Sequence, residues 1–340
     1  MSFQPNSQSQ SHDEVIFRSS NEVVYLEYYS IPELPAKPSS EWTRFVCISD
    51  THSRSFEVPN GDVLLHSGDL TNHGTIEDLE KTMSWLEALP HKTKIIIAGN
   101  HDMALHPAWY EKEWQNWHKM DGKQVGLTLL AHSGARLIEV ISKQDTAVAA
   151  EMVKGDRAKK AGIVYLEDEE YKFQVREGGK TWSIYGSPWS PEFFNLAFNY
   201  SAAEAKGLVS KIPKTDILMT HTPAHHVLDR ITLGDNVGCP SLRSRLTSVR
   251  PRLHLSGHIH EAHGAYIHTW ASANNFEPPK VQNDDTVVST SQIISGEGGE
   301  ETTVFVNAAN WPMGPKASRK GVNPDFGKGA FQAVVVDLKE

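Results

Sequence analysis

Three apolar runs of strand length, each closing in a polar or glycine-containing turn, constrain this chain more than any other feature. They are RFVCISD from Arg44, VLLHSGD from Val63 and KIIIAGN from Lys94. Between the second and third lies TIEDLEKTMSWLEAL, where Ile76, Leu79, Met83 and Leu86 recur at helical spacing. Thr75 and Asp78 open that stretch in the manner of a capping box. Strand, helix, strand is the order of a βαβ unit, so an α/β architecture is expected. Further strands are predicted at Val23–Tyr29, Arg136–Val140, Trp182–Tyr185, Asp216–Thr220, Leu253–Ser256, Val304–Asn307 and Phe331–Leu338.

These runs continue to the last residues, so a single domain over 15–340 is expected, preceded by a polar, Gln/Ser-rich and disordered stretch at 1–14. Two segments read as flexible inserts: 142–161, charged and Ala-rich, and 278–301, rich in Asp, Ser, Thr, Glu and Gly. With 39% hydrophobic and 22% charged residues, the 340-residue chain has an ordinary globular composition. Its net charge of −9 gives no electrostatic footprint for nucleic acid. No apolar window approaches the roughly 18 residues of a membrane span. Two cysteines, Cys47 and Cys239, make no disulfide framework, and Cys47 reads as a buried structural thiol. The first residues carry neither a basic nor an apolar signal region, so a cytoplasmic location is expected.

Histidine is over-represented, at 17 residues. Five polar clusters stand at or just after strand ends: Asp50-Thr51-His52, Gly68-Asp69, Gly99-Asn100-His101-Asp102, Thr220-His221-Thr222 and Gly257-His258-Ile259-His260. An open α/β sheet gathers its binding groups at such ends. Asp50 with His52, and His258 with His260, are spaced two apart and so project to one side of an extended chain. A lone DTH or THT is usually a turn, and Gly-Asp carries almost nothing. GNHD and GHIH are moderately specific, and the five together in this order are decisive. The donors are nitrogen and oxygen without thiolate, which suits Mn, Fe or Zn in a catalytic rather than a structural site.

The order D-x-H, GD, GNHD, H, GHIH resembles the calcineurin-like metallophosphoesterase superfamily, and within it the class III phosphodiesterase-like branch with its metallophosphoesterase-domain proteins. The stretches SDTHSR, HSGDLTNHG, IIAGNHD, YGSPWSPEFFNLAFNY, MTHTPAHHVLD, VGCPSL, LSGHIHEAHG and FVNAAN carry the resemblance over roughly residues 44–311 and the final strand. It implies a two-sheet α/β sandwich with two divalent ions at the strand C-terminal ends. By the same resemblance Asp50, His52 and His260 bind the first metal, Asp69 bridges, and Asn100, His221 and His258 complete the second. His101 stays off the metals and faces the substrate as general acid. One departure stands out: Asn72 replaces the aspartate that supports the active-site histidine in phosphoprotein phosphatases.

The chemistry implied is hydrolysis of a small phosphoester by a metal-bridging hydroxide, since two ions roughly 3.5–4 Å apart lower the pKa of a shared water. A phosphodiester is the expected substrate, with nucleotides among the candidates. The alternatives are a phosphomonoesterase or Ser/Thr phosphoprotein phosphatase, and a catalytically idle metal-binding protein. Several further residues carry both a functional and a plainer reading. His66 reads as core or surface, His73 as facing substrate or supporting the site, and His225 and His226 as loop packing. His263 reads as supporting the site. Arg54 is balanced between holding phosphate and a surface turn. Trp189–Tyr200 reads as core before substrate pocket, and Lys159-Lys160 as solvated surface.

Overall fold

Along β3 (Trp42–Ile48) successive side chains enter two different cores: Phe45 and Cys47 point into one, Val46 and Ile48 into the other. A strand covered on both faces reads as an unbroken apolar run, which is the pattern that marked it in the sequence. The computed structural model describes residues 15–28, 30–118, 142–270, 292–293, 301–309 and 331–340. The stretch 1–14, the predicted strand Arg136–Val140 and nearly all of 278–301 lie outside the described residues.

The first sheet contains β1 (Val15–Arg18), β2 (Glu22–Glu27), β3, β4 (Val63–His66), β5 (Thr93–Ile96) and β6 (Ile163–Tyr165). Strands β3 to β6 are parallel neighbours in chain order. The second sheet is built on β7 (Glu169–Gln174), β8 (Thr181–Ser187), β11 (Ile217–Thr220) and β12 (Leu253–Ser256), beside a small pair, β9 (Ser190–Pro191) and β10 (Asn199–Tyr200). It is completed by β13 (Gly264–Thr269) and β15 (Thr302–Asn307), in the order β13-β15-β12-β11-β8-β7. In the first sheet β14 (Gln292–Ile293) pairs with β1, and β16 (Val334–Lys339) lies between β2 and β3. The buried pair Arg44 and Asp337, joined by two 2.7 Å hydrogen bonds, ties β16 to β3.

The inner faces of the two sheets share one apolar cluster, with Cys47, Leu65 and Ile95 from the first sheet and Ile184, Met219 and Leu255 from the second. Burial pushes the Cys47 thiol upward, so it is an inert core group as expected. Over the outer face of the first sheet lie α1 (Ile76–Ala88), α2 (Pro107–Trp117), α3 (Thr146–Lys154) and α4 (Asp156–Lys160). Over that of the second lie α5 (Ala202–Ser210) and α6 (Pro240–Val249). The two-sheet α/β sandwich expected from the sequence is therefore present. Helix α1 starts where Thr75 predicts it, its hydroxyl accepting the Asp78 N–H at 3.0 Å. The reciprocal half of the box is absent, because the Asp78 carboxylate takes the His73 N–H instead, at 2.9 Å.

The reading of 142–161 as a flexible insert is corrected. Ala149 and Val153 of α3 and Ala158 of α4 form its buried side and pack into the outer core with α1, while the charged residues face solvent. Among the described residues no helix is long and apolar enough to cross a membrane.

Candidate metal centre

The loops after β3 and β4 are laced together by main chain. The N–H groups of Asp50, His52 and Ser53 donate to the carbonyls of Gly68 (2.9 Å), Asp69 (3.1 Å) and Leu70 (2.9 Å). Asp50, His52, Ser53 and Asp69 all hold positive φ, between 47° and 64°. Such conformations cost non-glycine residues about 1–3 kcal/mol each and concentrate at functional sites. Two motif glycines are there for space. A Cβ on Gly99 would stand 2.3 Å from Oδ1 of Asp69, and one on Gly257 2.3 Å from Oδ2 of Asp50.

Across the rim the second sheet brings its histidines to these carboxylates. Nε2 of His260 lies 3.2 Å from Oδ1 of Asp50, and Nε2 of His221 lies 3.5 Å from Oδ1 of Asp69. Nε2 of His52 is 3.8 Å from Asp69 and 3.5 Å from Nε2 of His260. Asn100 offers its amide oxygen 2.8 Å from Nε2 of His221. Three sets of donor atoms fall within 4.8 Å of one another: Asp50, His52 and His260; Asp50, Asp69 and His221; His52, Asp69 and His101. His258 belongs to none of these sets; its ring packs 5.0 Å from that of His221, and its N–H donates to the Asp50 carboxylate at 3.0 Å.

The set fits a divalent cation by its chemistry. Burial opposes ionisation of Asp50, yet His260 and the neighbouring imidazoles hold its carboxyl well below the usual range. Burial, then His101 and His260, push His52 well below its ordinary value, and burial foremost takes His258 down to about 3. Burial also pulls His260 down, but Asp50 outweighs it and the result is raised. Anionic oxygens and imidazole lone pairs thus converge in a space largely shut off from water, where a cation would satisfy both.

Positioning groups surround the donors, among them Asp102, which closes the GNHD cluster. The Ser67 carbonyl accepts from Nδ1 of His221 (2.9 Å), which aims Nε2 at Asp69 and Asn100. The Asp102 carboxylate accepts from the N–H groups of Gly99 (2.7 Å), Leu70 (3.1 Å) and Thr71 (2.8 Å) and from the Thr71 hydroxyl (2.7 Å). Burial, helped by the charge of Asp69, pushes Asp102 up to about 6. In the second sheet Asn307, within the FVNAAN stretch, donates to the carbonyls of Leu228 and Ile259, both at 2.9 Å.

His101 is only partly buried. Its N–H donates to Asp69 (2.8 Å), and Nδ1 donates to the main-chain carbonyl of Asn72 (2.8 Å). Position 72 thus braces His101 through its backbone, while its side-chain amide lies against His73 (3.2 Å).

The other candidates sort as follows. His66 is fully buried, its Nε2 2.9 Å from the Thr51 hydroxyl, and is core as expected. His73 lies 3.4 Å from Asp78 with its side chain 44% exposed. His225 sits 3.5 Å from buried Asp229, and His226 is exposed. His263 and Arg54 are partly buried, and Lys159 and Lys160 are exposed on α4. Of the aromatic stretch, Phe198 and Tyr200 are core, whereas Phe193 and Phe194 face solvent.

Residues 43–262 match the calcineurin-like phosphoesterase family, and the chain belongs to it. It is therefore a hydrolase of phosphoester bonds that depends on divalent metal. It is 33% identical to human metallophosphoesterase domain-containing protein 1 over 263 residues, covering 73% of this chain and 72% of the relative. A UPF0046 protein of Caenorhabditis elegans is 33% identical over 232 residues, 65% of this chain and 70% of the relative. A protein of Emericella nidulans named probable rhamnogalacturonate lyase C is 34% identical over 240 residues. That match covers 70% of this chain but spans only 19% of the relative's length.

Proposed function

We propose that this phosphoesterase acts on phosphodiesters, with Asp50, His52 and His260 holding one ion, Asn100, His221 and His258 the other, and Asp69 bridging. Manganese, iron or zinc suits that donor set. When bound, such ions neutralise charge on the phosphoryl oxygens and lower the pKa of the attacking water.

His101 protonates the departing oxygen. The observation that carries this reading is the hydrogen bond from its Nδ1 to the Asn72 carbonyl. A carboxylate in that place would stabilise the imidazolium strongly and hold on to its proton. The Asn72 carbonyl commits Nδ1 and fixes the ring, so Nε2 is the nitrogen left to carry the proton to the departing oxygen. The net charge of −9 also disfavours a dianionic monoester relative to a monoanionic diester. Nucleotide diesters are within this class, and a cytoplasmic location is compatible with two free, buried cysteines.

The test pairs metal analysis with kcat/KM for bis-p-nitrophenyl phosphate, p-nitrophenyl phosphate and a phosphoserine peptide at fixed metal and ionic strength. The diester is expected to lead. A tenfold preference for monoester or phosphopeptide, about 1.4 kcal/mol of transition-state discrimination, would move the assignment to a phosphomonoesterase or phosphoprotein phosphatase. No turnover with two ions bound would leave a metal-binding protein.

A further inference from the structure

All four main-chain polar groups of Asn72 and His73, in the loop between β4 and α1, bond to side chains. The Asn72 N–H donates to the Ser53 hydroxyl (3.0 Å), and the Asn72 carbonyl accepts from Nδ1 of His101 (2.8 Å). The His73 N–H donates to Oδ2 of Asp78 (2.9 Å), and the His73 carbonyl accepts from Nε2 of His118 (2.6 Å). His118 is buried and takes the Tyr110 hydroxyl on its other nitrogen, at 2.7 Å. Two loop residues held at every polar group are kept in one conformation.

One peptide unit joins two of these bonds. The Asn72 carbonyl and the His73 N–H belong to the same planar group and point opposite ways across it. Asp78 therefore holds one side of that plane and His101 the other. Ser53 completes the clamp, because its hydroxyl donates to the Asp78 carboxylate while accepting from Asn72. Burial opposes ionisation of Asp78, but the donors from His73 and Ser53 outweigh it and hold the carboxyl below its ordinary range. A hydrogen bond to an anion polarises the peptide and strengthens the bond that its carbonyl accepts. Helix α1 is capped by the Thr75 hydroxyl, which leaves the Asp78 carboxylate for the loop. His101 in turn reaches the candidate centre, its N–H donating to Asp69 at 2.8 Å.

We propose that Asp78 is a positioning residue for His101, acting through the Asn72–His73 peptide to set the angle at which Nε2 meets the departing oxygen. The charge that Asn72 lacks in its side chain thus stands on α1. One peptide removed, it orients the ring without forming an ion pair with it. This rests on the general-acid reading of His101 above.

The test compares wild type with Asp78→Asn, Ser53→Ala, His101→Ala and the Asp78→Asn/His101→Ala double variant, all metal-loaded. The substrates are methyl phenyl phosphate, whose leaving group needs a proton, and methyl p-nitrophenyl phosphate, whose leaving group does not. Asp78→Asn keeps the shape and removes the charge. It should retain its metals and its KM, and lose about tenfold in kcat on the phenyl ester but less than about twofold on the nitrophenyl ester. Ser53→Ala loosens the same clamp and should lose about threefold on the phenyl ester; it carries the comparison should the asparagine variant not fold. Without His101 the Asp78 change should cost nothing further. Equal losses on both esters, a loss repeated in the His101→Ala background, or loss of metal would overturn the proposal. Glu77→Gln removes a charge from the same turn of α1 at a side chain 81% exposed, and should match wild type; a loss equal to that of Asp78→Asn would assign the effect to helix charge instead, against the proposal. In parallel, nitrogen-15 NMR of zinc-loaded protein follows the His101 Nδ1–H, assigned by its absence in His101→Ala. Wild type should protect that proton from solvent exchange, and Asp78→Asn should shorten the protection about tenfold. If His101→Ala slows both esters equally, or wild type turns over neither, the general-acid reading fails while this arm still decides the positioning. Unchanged protection refutes it.

Discussion

The loops closing β3, β4 and β5 carry both carboxylates of the candidate centre and hold Asp50, His52 and Asp69 in left-handed backbone, whereas the loops closing β11 and β12 bring imidazoles and hold only His258 so among the candidate ligands. The supports differ in the same way. Main-chain bonds lace the loops on both sides, but the side-chain braces differ: the four-donor clamp of the Asp102 carboxylate on the first, the neutral amide of Asn307 on the second. Negative charge gathered on one wall repels itself and strains its loops, so that wall needs the heavier bracing. The second wall, nominally neutral, needs only to aim its rings. Metal retention should therefore depend most on the first wall.

The sharpest way to break this comparison is Asp69→Asn against Asp50→Asn. Because Asp69 meets donors from both sides, its loss should cost metal from both positions and roughly 10³-fold or more in turnover, equivalent to about 4 kcal/mol. Asp50→Asn should cost about tenfold less. An Asp69 variant with two metals and near-normal rates would remove its bridging role. Chelation of the wild type should abolish turnover, with recovery on adding Mn²⁺ or a similar ion; full activity in verified metal-free protein would end the two-metal account.

His101→Ala comes next. It should keep its metals and lose roughly 10²–10⁴-fold on esters with poor leaving groups, but only a fewfold on activated ones. Equal losses on both would argue against proton donation. Below that lie the braces. Removing a buried acceptor of several donors is expensive, so Asp102→Ala should lower unfolding stability by about 3 kcal/mol and Asn307→Ala by about 2 kcal/mol, read from denaturant midpoints. A reversed order would mean the first wall is not the more heavily braced. The smallest effects test where the two walls are alike. Thr51 bonds buried His66 and Thr220 bonds buried His254, each at 2.9 Å. Thr51→Val and Thr220→Val should each cost about 1 kcal/mol, and unequal values would extend the asymmetry down into the strands.

Much of this was legible beforehand because buried parallel strands write themselves as apolar runs: β3, β4, β5, β11, β12 and β15 all lie where such runs predicted them. The edge strand β7, EEYKFQ, buries only Phe173 and has no apolar run to detect. Helices α3 and α4 were hidden because two alanines and a valine suffice to pack them, and charge dominates their composition. The polar clusters pointed to the donors now found together and, in Asp102, to one group that braces them, but not to the main-chain acceptors. The Ser67 and Asn72 carbonyls act through main chain, which no side-chain pattern encodes. For the same reason Asn72 could be read only for its missing charge, and not for the carbonyl with which it holds the His101 ring.

Strand β16 has a consequence for the order in which the molecule assembles. Strands β3, β4 and β5 with α1 are contiguous in the chain, so the wall bearing the carboxylates can form from local pairings. Among the described residues the β1–β2 hairpin pairs with that wall through β16, whose partners in β2 and β3 lie roughly 300 residues away along the chain. Closing so long a loop carries its entropic cost before any contact rewards it, so such pairings form late. The hairpin and β16 should therefore dock last and come loose first, as one unit, leaving the metal-binding wall folded behind them.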